Sequence, residues 1–190
     1  MINAERILQE LDQHLDHTVK LVIYGRAAIA LGFDGPPDSV KHSLDVDGII
    51  SVSQAPLLRG DSNFWDAQEA TNAELDKEGL YITHLFEADQ VFLRRDWEQH
   101  LLPVARPPVR WLRLFRPATL DLILTKMMRG DDAQDMEDIA FMIGHDRVTE
   151  AQIEAAFDQA VIPDLKELRD AFEQAKPRVR EIAMRARGLS

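Results

Sequence analysis

Apolar positions along this chain change their spacing about two-thirds of the way through. Near the start, Ile7, Leu8, Leu11 and Leu15 recur at helical intervals behind Asn3, a residue suited to capping the helix they predict. VKLVIY (19–24) is a short, nearly all-apolar run ending at Gly25, the pattern of a buried strand. RAAIAL (26–31) is rich in helix formers and stops at Gly32, before a loop with Gly35, Pro36 and Pro37. SLDVDGIISV (43–52) alternates early, with Leu44 and Val46 on one face and Asp45 and Asp47 on the other. A polar helix opens at Asp61 or Ser62 and closes at Gly79, with Phe64 and Trp65 as packing aromatics. LYITHLFE (80–87) and VRWLRLF (109–115) are two further strands.

After Pro117 the period becomes helical throughout. Leu120, Ile123, Leu124 and Met127 form one stripe, and Met136, Ile139, Ala140 and Ile143 another. Thr149 with Gln152 forms a capping box for a third helix, and Pro163 separates it from a last amphipathic one. This order predicts an α+β fold. A mixed β-sheet core over 1–116 is followed by a C-terminal helical part over 117–190 that packs on it.

Composition narrows the classes. The 190 residues contain no cysteine, so disulfides and thiolate metal sites are excluded and a reducing, cytoplasmic setting is expected. No apolar run approaches the roughly 20 residues of a membrane span, and the acidic, amphipathic start does not read as a signal peptide. Net charge is -11, which disfavours indiscriminate binding to nucleic acid or anionic lipid. The charge is uneven, however. From Phe92 to Pro117 six arginines (Arg94, Arg95, Arg106, Arg110, Arg113, Arg116) stand against Asp96 and Glu98. Either they form a phosphate-binding face or they are solvated surface residues.

Asp45-Val46-Asp47 carries the most chemistry. Residues two apart on a strand point the same way, with backbones about 6–7 Å apart. Two carboxylates so placed repel unless a cation or water screens them, and when buried they raise a pKa or recruit a divalent metal. The alternative is a solvated strand edge. Upstream, Gly25 permits close backbone approach, and the helix it leads offers unpaired N–H groups to a phosphate. Lys126 lies on the flank of its helix's apolar stripe, and Asp135 and Asp138 share one side of the next helix. These three form either a phosphate-facing lysine with positioning carboxylates or a helix-surface salt bridge. His14 and His17 share a helix face, but two histidines without a third ligand read as surface residues.

Gly25 through Asp47, together with Leu120 through Ile139, resemble the minimal nucleotidyltransferases of the abortive-infection toxin type (the AbiEii-like group). In that family a glycine heads a helix, followed by a basic residue, a spacer, Ser or Thr, a spacer and Asp-x-Asp. Lys41-His42-Ser43-Leu44-Asp45-Val46-Asp47 matches that second part position for position. The family's helical lysine corresponds to Lys126, and its Asp-x-x-Asp to Asp135 and Asp138. Two positions depart from the pattern: Arg26 stands where the family has Gly or Ser, and Gln134 where it has a basic residue.

The resemblance implies a nucleotidyltransferase-like core and Mg²⁺-dependent transfer of a nucleotidyl group from an NTP to a hydroxyl on RNA or protein. It implies that Asp45 and Asp47 hold the metal and that Gly25, Arg26, Lys41 and Ser43 border the nucleotide. Lys126 would neutralise phosphate charge, positioned by Asp135 and Asp138. A third metal-binding carboxylate is expected from a later strand, where Glu87 is the only acid inside LYITHLFE and ranks first, Asp89 lies just beyond, and His84 is the alternative occupant. A toxin–antitoxin setting, with tRNA or a protein side chain as acceptor and an antitoxin partner, follows from the same resemblance. The second reading is a non-catalytic nucleotidyltransferase-like module that binds a nucleotide or another protein.

Overall fold

The computed structural model describes residues 1–188, and the side chains of His84 and Arg187 lie outside the description. The elements run α1 (Asn3–His14), β1 (Val19–Tyr24), α2 (Gly25–Gly32), α3 (Asp38–Lys41), β2 (Asp45–Ile50), α4 (Ala55–Arg59), α5 (Ser62–Leu75) and β3 (Tyr81–Glu87). They continue β4 (Leu93–Arg94), β5 (Leu102–Pro103), β6 (Leu112–Arg116), α6 (Thr119–Lys126), α7 (Ala133–Asp146), α8 (Glu150–Gln159), β7 (Ala160–Val161) and α9 (Lys166–Arg187). The fold is α+β, with a mixed sheet.

The described chain forms two compact units: Met1–Glu87 with Leu101–Arg116, and Ala88–His100 with residues 117–188. The short segment 88–100, which the hydropathy pattern groups with the sheet, thus belongs to the helical unit. The reason is local. Leu93 and Arg94 pair antiparallel with Val161 and Ala160, and Arg94 binds Asp121 at the start of α6.

In the first unit the sheet order is β3-β2-β1-β6-β5. The β1–β2 and β5–β6 pairs are antiparallel, and β1–β6 and β2–β3 are parallel. The parallel β2–β3 connection needs a crossover, which α4 and α5 supply. Ile7, Leu8 and Leu11 of α1 are fully buried, each contributing about 1.5–3 kcal/mol to the folded state. Phe64 is also fully buried, edge-on to Trp65, whose indole N–H donates to the Leu58 carbonyl at 2.8 Å. Asp12, buried on α1, accepts three backbone N–H bonds from Arg110, Trp111 and Leu112 at 2.7–2.8 Å, which anchors the start of β6.

The exposed edge of β3 is covered by α5. Asn72 both accepts from the Ile82 N–H at 2.7 Å and donates to its carbonyl at 3.1 Å, while Gln68 donates to the Thr83 carbonyl at 3.0 Å. In the second unit Phe92, Phe157 and Phe172 stack edge to face at 5.6–5.7 Å. The Thr149–Gln152 capping box forms at the head of α8. Among the described residues no helix is long and apolar enough to cross a membrane.

Candidate functional site

The acid pair sits at the start of β2, where the strand leaves a turn and its side chains are half-buried rather than solvated. Val46 between them is fully buried. The alternation expected from SLDVDGII therefore holds from Asp45 to Gly48, after which Ile49 and Ile50 are both buried. Leu44 lies ahead of the strand and is exposed.

Each carboxylate is held by a hydroxyl. Ser43 Oγ donates to Asp45 Oδ1 at 2.7 Å, and Thr83 Oγ1 donates to Asp47 Oδ1. Thr83 reaches Asp47 because of a bulge in β3. Val46 aligns with Ile82 but Gly48 with Leu85, so Thr83 and His84 together oppose Asp47. The alternation along LYITHLFE breaks at this point.

On the other side, β1 brings Tyr24 opposite Asp47 in the antiparallel ladder. The Tyr24 ring meets Phe86 edge-on at 6.0 Å. Burial, reinforced by the charges of Asp47 and Asp45, pushes the Tyr24 phenol well above its ordinary value, so it remains a neutral hydroxyl. The next residue, Gly25, turns left-handed at φ +64° and opens α2. A Cβ there would lie 3.3 Å from Asp47 Oδ2, so the carboxylate packs against bare glycine backbone. The first turn of α2 contains no acidic residue, and Tyr24 makes no side-chain cap. Its leading N–H groups present a partial positive charge beside the two acids. Arg26, half-buried, is the second residue of that turn.

The remaining expected residues are placed differently. Lys41 pairs with Asp38 on the same short helix at 2.7 Å. Glu87 is not brought to the acid pair. It aligns with Ile50, three ladder positions beyond Asp47 and about 10 Å further along the strand, and it pairs with Arg59. Glu87 is the last residue of β3, and the extra residue in the bulge sets it opposite Ile50, an odd number of positions from Asp47 and so on the other face of the sheet. His84 opposes Asp47 by register, and its side chain is outside the description.

Lys126, Asp135 and Asp138 come together within the second unit, but as a buried network rather than a surface one. Lys126 Nζ donates to Asp135 at 3.0 Å and to Asp138 at 2.7 Å, and all three residues are under a tenth exposed. Arg129 donates to Asp135 as well, at 2.7 Å. Burial alone would raise the Asp135 pKa, and the Arg129 hydrogen bond with the Lys126 charge overrides it, holding the carboxyl below its usual range.

Thr83 and Tyr24 were not singled out by the pattern of the sequence. Thr83 depends on a bulge that no spacing reveals. Tyr24 was legible in principle, as the last residue of a buried strand before a glycine-led helix. The donor set fits a hard cation: Mg²⁺ is commonly bound by one or two carboxylates and completes its shell with waters and substrate phosphates. Comparison with protein-family models, with curated proteins and with solved structures found no match to the chain.

Proposed function

We propose that this protein is an Mg²⁺-dependent nucleotidyltransferase, moving a nucleotidyl group from an NTP to a hydroxyl acceptor on RNA or protein. The observation that carries this is the contact of Asp47 with the left-handed Gly25 at the head of α2. It sets a hydroxyl-oriented carboxylate pair against a helix start suited to phosphate. Acids for a cation and amides for an anion, side by side, are what a metal-bridged triphosphate requires.

Asp45 and Asp47 would hold the ion, kept in orientation by Ser43 and Thr83. When bound, magnesium neutralises triphosphate charge and polarises the reacting phosphoryl group. The amides of α2 take phosphate oxygens, and Arg26 adds a guanidinium to the same end. Tyr24, held neutral, supplies a hydroxyl beside Asp47. In the reaction the acceptor oxygen bonds to the α-phosphorus, the α–β bridge bond breaks, pyrophosphate leaves and the hydroxyl proton is released. Lys126 carries no step here, because two buried carboxylates already match its ammonium. A cytoplasmic toxin paired with an antitoxin, acting on tRNA or a protein side chain, is the biological setting that fits this chemistry.

Incubation with radiolabelled NTPs, Mg²⁺ and a mixture of tRNA and protein tests the reading. Wild type is expected to transfer label in a metal-dependent way, and Asp45→Asn and Asp47→Asn to lose transfer with little change in thermal melt. No NTP binding by calorimetry in the presence of Mg²⁺ overturns it. The position of Glu87, away from the pair, favours the second reading, a nucleotide-binding module without catalysis. That reading stands if wild type binds NTP and transfers nothing.

A further inference from the structure

A second group of ligating side chains lies in the first unit, between two helices. Glu10 and His14 are four apart on α1 and share its face, and α5 brings Glu74 to them. His14 Nε2 stands 3.5 Å from Glu10 Oε1 and 3.5 Å from Glu74 Oε1. All three ligand atoms lie within 4.8 Å of one another.

Neither 3.5 Å approach is a hydrogen bond. Nε2 is buried and has no hydrogen-bond partner among the described residues. Leaving such an atom unsatisfied typically costs about 1–3 kcal/mol, so the arrangement needs a cause. The spacing supplies one. Two ligands about 2.0–2.1 Å from a tetrahedral zinc ion are separated by roughly 3.3 Å, close to both observed separations. Both approaches lie within ion-pair range of a protonated imidazole, but a charge-assisted hydrogen bond would draw the atoms to about 2.8 Å.

The orientation of Glu10 agrees. Its Oε2 accepts from Arg6 Nη1 at 2.6 Å, which fixes the buried carboxylate and turns Oε1 toward His14. That is the outer-shell support characteristic of metal ligands. Glu74 is largely exposed, which gives an ion a route in and a water a place as fourth ligand. An imidazole in the set favours zinc over calcium or magnesium, which prefer oxygen alone.

We infer that Glu10, His14 and Glu74 form a zinc-class divalent cation site tying α1 to α5, separate from the Asp45–Asp47 pair. Binding to the folded chain stabilises it by mass action.

Calorimetric titration of the chelator-treated, full-length chain with zinc chloride tests this. Wild type is expected to take up zinc saturably, one ion per chain at this site. His14→Ala and Glu74→Gln are expected to weaken uptake by about tenfold or more, since loss of even an outer-shell partner costs that much. Glu74 is exposed, so its variant keeps the fold, which far-ultraviolet circular dichroism verifies. The Asp45→Asn/Asp47→Asn double variant is expected to retain this binding. The inference is overturned if wild type shows no saturable uptake or if Glu74→Gln binds as wild type does. Loss of binding in the double variant alone, with His14→Ala unaffected, also overturns it.

Discussion

Gly25 is the residue on which the geometry of the candidate site turns. At φ +64° a residue with a Cβ is strained by about 1–2 kcal/mol, and here the added carbon would also press on Asp47 Oδ2. Gly25→Ala is therefore expected to lower stability by about 1–2 kcal/mol in urea denaturation. It should also displace Asp47 and weaken Mg²⁺–NTP binding beyond what the stability loss explains. A variant that binds as wild type does would show that the contact is incidental. The Asp45–Asp47 pair and its glycine were legible in the sequence, because period-two alternation and a strand-ending glycine are both local signals. Thr83 was not, since its place depends on a one-residue bulge in β3. The same bulge misleads the choice of Glu87, which an unbroken alternation leaves as a reasonable third acid.

At the scale of elements, two contacts decide how helices hold their neighbours. Asn72 of α5 satisfies both the N–H and the carbonyl of Ile82 on the edge of the sheet. Asn72→Ala is expected to cost about 1–3 kcal/mol and to speed amide exchange at Ile82, read by hydrogen exchange. Unchanged exchange would mean that water serves the edge equally well. In the second unit, Asp135 of α7 joins Lys126 of α6 and Arg129 in a buried network. Its carboxyl is held below its unfolded value, so its contribution to stability is present above that value and is lost as the pH falls through the lower folded one. The wild-type urea midpoint is thus expected to drop below about pH 4, and that of Asp135→Asn to start lower at neutral pH and fall less steeply. The major elements were readable, from VKLVIY as β1 to the Thr149 capping box. The β4–β7 ladder was not, because two-residue strands carry no periodicity and their pairing joins segments far apart in the chain. Lys126, Asp135 and Asp138 were recognisable as a group, but spacing alone does not report burial.

For the whole molecule, net charge and the uses of arginine bear on the acceptor. The stretch from Phe92 to Pro117 reads as basic, yet its arginines are largely engaged within their own units. Arg94 is paired bidentately with Asp121, and Arg110 lies 4.4 Å over the Trp111 ring. Arg113 donates to the carbonyls of Arg110 and Leu112, and Arg116 donates to the Gly32 carbonyl and stacks 4.1 Å from Phe33. The stretch is also divided, with Arg94 and Arg95 in the second unit and the other four in the first. On a chain of net charge -11, such a set does not make the continuous basic surface that counterion release rewards. Under the proposed function, an RNA acceptor would then be held through its reacting end and the nucleotide rather than along its backbone. Fluorescence anisotropy with a labelled random single-stranded RNA at physiological salt is expected to show no binding at concentrations up to about 10⁻⁵ M. Binding in that range, falling steeply with added salt, would restore the arginine stretch as a phosphate face.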